Sequence, residues 1–183
     1  MDRKKFIKTS GVGLGLALLP GLIQGQNSTT KNIGPEPAQP KIMKGSDGVV
    51  LNVLGDIQTH KFSGADNDNQ IAEWVSHVDP GVGIPPHIHT KEDEIFRVIE
   101  GEVEIMVGDK TTVLKAGDIA FAPRDVPHAW KVVGTEKAKM IATAFPAGIE
   151  HMFVELAALP KVHPTLPRWP KFVPNKGFRL FKM

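Results

Sequence analysis

Between Val49 and Phe145 apolar residues come in short runs, interrupted every few positions by Gly, Pro or Asp. Alternation of apolar and polar positions is the mark of a strand with one buried face. It is visible where Phe96 and Val98 share one parity, and again where Val103, Ile105 and Val107 oppose Glu102 and Glu104. The pattern predicts strands at Val49–Leu54, Gln58–Phe62, Ile71–Val78, Glu94–Ile99, Val103–Val107, Thr111–Lys115, Ile119–Ala122, Ala129–Val133 and Lys137–Phe145. Turn-forming residues separate them, among them Asp79-Pro80-Gly81, Gly101, Gly108-Asp109 and Gly117-Asp118. Many short strands with this punctuation point to an all-β barrel or sandwich. A short helix is expected at His151–Leu159, where Met152, Phe153, Leu156 and Leu159 fall on one side. Prolines at 160, 164, 167, 170 and 174 follow, so the tail is expected to hold neither strand nor helix. Its aromatics, Trp169, Phe172, Phe178 and Phe181, are expected to pin it to the domain or to a second subunit.

Composition changes this picture at the ends. Of 183 residues, 18 are Gly and 15 Pro, which suits many turns and little helix. The formal charge of +2 gives no ground for wholesale nucleic-acid binding. It is unevenly spread: +3 over 1–26, −6 over 27–150 and +5 over 151–183. The basic start Arg3-Lys4-Lys5-Phe6-Ile7-Lys8 precedes an apolar run from Gly11 to Ile23, the pattern of an export signal over 1–26. It resembles a twin-arginine signal with Lys at the second arginine, and also suits the general secretory route. The expected location is therefore periplasmic or secreted, with no membrane span left after processing. Residues 27–44, with Pro35, Pro37 and Pro40, read as a linker, 45–150 as the barrel and 151–183 as the helix and tail. The chain has no cysteine, so disulfides, thiolate metal ligands and thiol nucleophiles are excluded.

The chemistry concentrates between Gly81 and Gly101. His87 and His89 stand two apart, so in extended chain both imidazoles face one way. Pro85 and Pro86 favour extended backbone ahead of them. Glu94 follows within the acidic trio 92–94 and shares parity with Phe96 and Val98, which sends a carboxylate toward the apolar interior. Such a group is costly unless paired or bound to metal. His128 lies on a later strand, after Pro123 and Pro127. Three histidines and one carboxylate can surround a divalent ion and leave positions open for water or substrate. His60, His77, His151 and His163 stand outside any motif. Trp130 and Phe121 share parity with His128 and Ile119 respectively; core packing is the simpler expectation for both, with walling the cavity as the alternative, and Arg97, of parity opposite to Glu94, is expected to point outward.

The segment resembles the first cupin motif, G-x5-H-x-H-x4-E-x6-G, filled by Gly81, His87, His89, Glu94 and Gly101. The second motif, G-x5-P-x-G-x2-H-x3-N, is matched at Gly117, Pro123 and His128; Asp125 stands in place of its glycine and Val132 in place of its asparagine. The resemblance covers roughly residues 45–150, one cupin unit. It implies a jelly-roll β-barrel, with the short helix and Pro-rich tail appended, and a central metal ligated by His87, His89, Glu94 and His128. It also implies a homodimer. The metal is expected to be a divalent transition ion: Fe, Mn, Ni, Co or Zn. The spacing looks most like small quercetinase-like dioxygenases, so oxidation of a small enolic or phenolic substrate is favoured, with Glu94 as the catalytic base. Two alternatives stand beside it: metal-dependent isomerisation or hydrolysis of a sugar or keto acid, and non-catalytic binding of a metal or small ligand. The scarcity of Lys and Arg near the motifs counts against phosphorylated substrates.

Overall fold

The computed structural model describes residues 38–159 and, for the backbone, 178–180. The expected export signal, and the linker up to residue 37, lie outside the described residues, as do His163, Trp169, Phe172 and Phe181.

The first strands are β1 (Val49–Val53), β2 (Asp56–Phe62) and β3 (Ala72–Val78), with one 3-10 turn at Gly64–Asp66 between the last two. Next come β4 (Gly83–His89), β5 (Asp93–Glu100), β6 (Val103–Val107), β7 (Lys110–Leu114), β8 (Ile119–Ala122), β9 (His128–Val132) and β10 (Ala138–Phe145). Helix α1 (Ile149–Ala157) and strand β11 (Phe178–Leu180) complete the order. The strands form two antiparallel sheets, β1-β2-β3-β10-β5-β8 and β11-β4-β9-β6-β7. This is an all-β jelly roll with one short helix.

In the six-stranded sheet, β3, β10 and β5 turn their more apolar parity inward. Along β3, Ala72, Trp74, Ser76 and Val78 are buried; along β10, Ala138, Met140, Ala142 and Ala144; along β5, Glu94, Phe96 and Val98. Phe96, Val98, Val103, Val132 and Met140 sit at the centre of the core. Helix α1 lays Ile149, Met152, Phe153 and Leu156 onto that core. Leu159, expected on the same face, lies past the helix end and is exposed.

Two strands depart from the sequence expectation. Residues 83–89 form strand β4 although Pro85 and Pro86 lack N–H donors. The register of β4 on β9 slips between Ile84 and His87, so the prolines occupy the irregularity. The expectation of no strand in the tail is overturned by β11, which adds to the free edge of β4 by pairing Phe178 with His89 and Leu180 with His87. It lies beyond Pro174, the last proline, where every residue again has an N–H to donate.

The motif glycines close turns in left-handed backbone: Gly81 has φ +82°, Gly101 +79° and Gly117 +94°. Asp125 does the same at φ +63°, which explains why Asp can stand at the motif's glycine position. Gly101, at the end of β5, is tighter. A Cβ there would lie 2.8 Å from Ala138 Cα and from the Lys137 carbonyl oxygen, whereas at Gly117 it would meet nothing within 4 Å. Gly117→Ala is therefore expected to cost about 1 kcal/mol, the backbone penalty alone. Gly101→Ala is expected to cost at least about 2 kcal/mol, because steric overlap adds to that penalty. Urea unfolding of the two variants measures the difference.

Candidate metal centre

Four side chains converge between the sheets. His87 and His89 come from β4, His128 from its neighbour β9, and Glu94 from β5 in the opposite sheet. The pairing of His87 with His128 across β4 and β9 sets two imidazoles side by side. Glu94 is flanked by Ala122 on β8 and Ala144 on β10, whose small side chains leave room for it. All four residues are buried, and one donor atom from each lies within 4.8 Å of the others. Among the described residues this is the sole such cluster.

The spacing suits one ion. His87 Nε2 stands 3.1 Å from His89 Nε2, His128 Nε2 3.3 Å from Glu94 Oε2, and His89 Nε2 3.5 Å from the same oxygen. Donors about 2.1 Å from a shared cation are separated by about 3.0–3.4 Å in octahedral or tetrahedral arrangements. The outer nitrogens are fixed as well. His87 Nδ1 donates to the Pro85 carbonyl at 2.8 Å and His128 Nδ1 to the Val126 carbonyl at 3.1 Å. Each hydrogen bond selects the tautomer that turns the Nε2 lone pair inward.

Electrostatics agree for two histidines. Burial, reinforced by His128 and His89, pushes His87 well below its ordinary value; burial also holds His89 at about 4 against the opposing charge of Glu94. Both are neutral at pH 7, as ligation requires. Burial pushes His128 down too, but its hydrogen bond to Glu94, the charge of Glu94 and the Val126 carbonyl outweigh that and raise it. The chemistry of the donor set fits a divalent transition ion.

The surrounding loops are tied down. Asp93 opens β5 beside the site. Its carboxylate accepts from Arg124 N, Nε and Nη2 at 2.7, 3.0 and 2.8 Å, and this pairing holds it at about 2. It fastens the start of β5 to the loop leading into His128. Asp125 N donates to the His89 carbonyl at 2.8 Å, joining the same loop to β4. Glu92, by contrast, is buried, which raises its carboxyl above the usual range.

A cavity of about 40 Å³ opens beside the cluster. His87, His89 and Glu94 line it together with Trp74, Phe96, Trp130, Met140 and the inner face of α1. Trp130 belongs to the core and also lines the cavity, and Arg97 points outward as expected. Phe121 does not line it. β8 turns Ala120 and Ala122 inward, and Phe121 is 52% exposed, stacking on Phe145 at 6.3 Å. Sequence reasoning missed a second polar group on the cavity wall: Asp56, Gln58 and Ser76. Their signal was the polar parity of β2, which ordinarily marks a solvent face.

Residues 74–144 match the Cupin_2 family, described as "Cupin domain". The barrel is a cupin domain. A solved RmlC-like cupin from Shewanella frigidimarina superposes on this cupin with a TM-score of 0.53 at 23% identity, over 62% of this chain and 96% of that one. A curated H2HPP isomerase of Bacillus subtilis is 32% identical over 90 residues, 49% of this chain and 33% of its own length. A quercetin 2,3-dioxygenase of Aspergillus japonicus is 30% identical over 80 residues, 41% of this chain and 23% of its own. The cupin spans less than half the length of the curated relatives it matches.

Proposed function

We propose that this cupin is a metal-dependent oxidoreductase of dioxygenase type acting on a small enolic or phenolic substrate. The observation that carries this reading is the junction of a three-histidine, one-carboxylate donor set with a narrow apolar cavity. His87, His89, Glu94 and His128 would hold the ion. When bound, it supplies Lewis acidity toward a chelating oxygen and, if redox-active, a route for electrons to O2.

The remaining chemistry belongs to the chain. Pro85 and Val126 fix the imidazoles through their carbonyls, so the site is preorganised. Glu94 lines the cavity, where its carboxylate can take the proton of an entering enol or phenol hydroxyl. Phe96, Trp130 and Met140 exclude water from that proton transfer. Among the described residues the lining has no Lys or Arg, so a phosphate or a second carboxylate would enter uncompensated. The volume, enough for about three waters at 10–15 Å³ each, favours a small molecule over a fused ring system.

A second reading, proton transfer with the metal as Lewis acid alone, is supported by the likeness to the B. subtilis isomerase. Oxygen-electrode assays with catechol and with hydroxypyruvate, whose enol is an enediol, separate the two. The oxidative reading expects substrate-dependent oxygen uptake, reduced at least about a hundredfold in Glu94→Gln. Metal-dependent turnover under argon would replace it with the isomerase reading. Full metal occupancy with turnover under neither condition would leave a binding module.

A further inference from the structure

Asp56 opens β2 immediately after the tight turn at Leu54 and Gly55, and it is 1% exposed. The turn does not need its side chain, because Asn52 Oδ1 accepts from Gly55 N at 2.9 Å. The carboxyl points inward instead. Oδ2 accepts from Gln58 Nε2 at 2.8 Å and from Ser76 Oγ at 3.1 Å. Gln58 Oε1 lies 2.9 Å from His60 Nε2, and the His60 ring stacks on Trp74 at 5.9 Å. This row fixes the carboxyl from behind.

Oδ1 has no partner. Among the described residues it is the sole buried side-chain nitrogen or oxygen in that position. Asp56 lines the same cavity as His87, His89 and Glu94, and the Glu94 charge reaches it. A cavity-lining carboxyl that is held through one oxygen by two donors and leaves its other, buried oxygen without a partner has the form of a ligand contact.

We propose that Asp56 is a second anchor for the substrate: Oδ1 accepts a hydrogen bond from a hydroxyl carried by the molecule whose chelating oxygens face His87, His89, Glu94 and His128. This rests on the four-residue cluster being the metal centre. The substrate class narrows accordingly, to a small chelating enol or keto compound with one hydroxyl beyond the chelating pair. Asp56 accepts from that hydroxyl, while Phe96, Trp130 and Met140 between the two ends exclude further charge. A site built to hold a hydroxyl discriminates strongly against the analogue that lacks it, because the buried acceptor is then left unpaired.

Pyruvate and hydroxypyruvate form a suitable pair of probes, since both chelate through carboxylate and keto oxygens and only the second carries the additional hydroxyl. Calorimetric titration is carried out under argon on the full chain, as purified with its metal and after EDTA treatment. The metal-loaded parent is expected to bind hydroxypyruvate at least about tenfold more tightly than pyruvate. In Asp56→Asn the ratio is expected to fall within about threefold, and Ser76→Ala, which frees the carboxyl to turn, should give an intermediate ratio. A thermal melt of Asp56→Asn guards against misfolding. A ratio below three in the parent, or an unchanged ratio in Asp56→Asn, overturns the assignment, as does the absence of binding to every form. A preference that survives EDTA and is lost in Asp56→Asn sustains Asp56 and overturns the metal centre instead.

Discussion

His128→Ala is expected to lose its metal. Protein purified with an ion in the cluster should fall from near one metal per chain to below about a tenth when measured by elemental analysis. A four-ligand structural site binds with about 10–16 kcal/mol, so one donor carries about 3 kcal/mol, more than a hundredfold in affinity. His128 is a sensitive choice. It is 1% exposed, it is paired with His87 across β4 and β9, and its Nε2 faces Glu94 at 3.3 Å. A thermal readout accompanies the elemental one. Metal at 1,000 times its dissociation constant stabilises a fold by about 4 kcal/mol. The parent should melt higher on metal addition, and His128→Ala should not. His77→Ala is the control: His77 shares β3 with the core residues but points to solvent, and this variant should keep both metal and melting shift. Equal metal in His128→Ala and the parent would remove the centre from the cluster.

The motif residues were legible because their roles depend on parity and on turn backbone, both of which sequence expresses directly. His87 and His89 face together because an extended chain alternates, and Glu94 points inward because Phe96 and Val98 do. Asp125 could be accepted in place of glycine because it tolerates the left-handed backbone that it adopts. What was not legible depended on which face of a strand becomes the inside. In β8 the larger residues Ile119 and Phe121 suggested an inward parity. The strand lies at the end of its sheet and turns Ala120 and the fully buried Ala122 inward, where bulky side chains would collide with the core beside Glu94. In β2 the reverse occurred: Ile57 is exposed, while Asp56 and Gln58 are buried. A pattern of hydrophobic residues cannot announce a polar face turned inward, since only partners on the neighbouring strand, Ser76 of β3 among them, make that face tolerable. Strand β11 was missed for a different reason. Three residues have too little pattern of their own, and their strand exists because β4 offers a free edge.

Asp56→Asn is expected to stabilise the metal-free protein at neutral pH, by an amount that vanishes in acid. Burial pushes the Asp56 carboxyl up to about 6 from 3.8, against the lowering effect of its hydrogen bonds from Gln58 and Ser76, and the Glu94 charge adds to the rise. Between pH 4 and pH 6 the folded chain therefore holds a proton that the unfolded chain has released. When the native state binds more protons, stability falls as pH rises, so the loss accumulates from about pH 4 and is complete somewhat above pH 6. Two pH units at 1.36 kcal/mol each give about 3 kcal/mol, or about 10 °C in melting temperature for a domain of this size. Asparagine keeps the shape and can accept from Gln58 and Ser76 through its amide oxygen, but it has no charge to desolvate. His60, His87 and His89, all shifted down, titrate in acid in both proteins and so cancel in the difference. Melting curves in EDTA at pH 4 and pH 7.5 should thus coincide at the lower pH and separate at the higher, with the variant the more stable. Parallel curves would mean that the carboxyl titrates as it does in water. The expected separation has a functional meaning that a packing role lacks: asparagine would serve the fold better at this position, so what the carboxylate contributes must be sought in the cavity it faces.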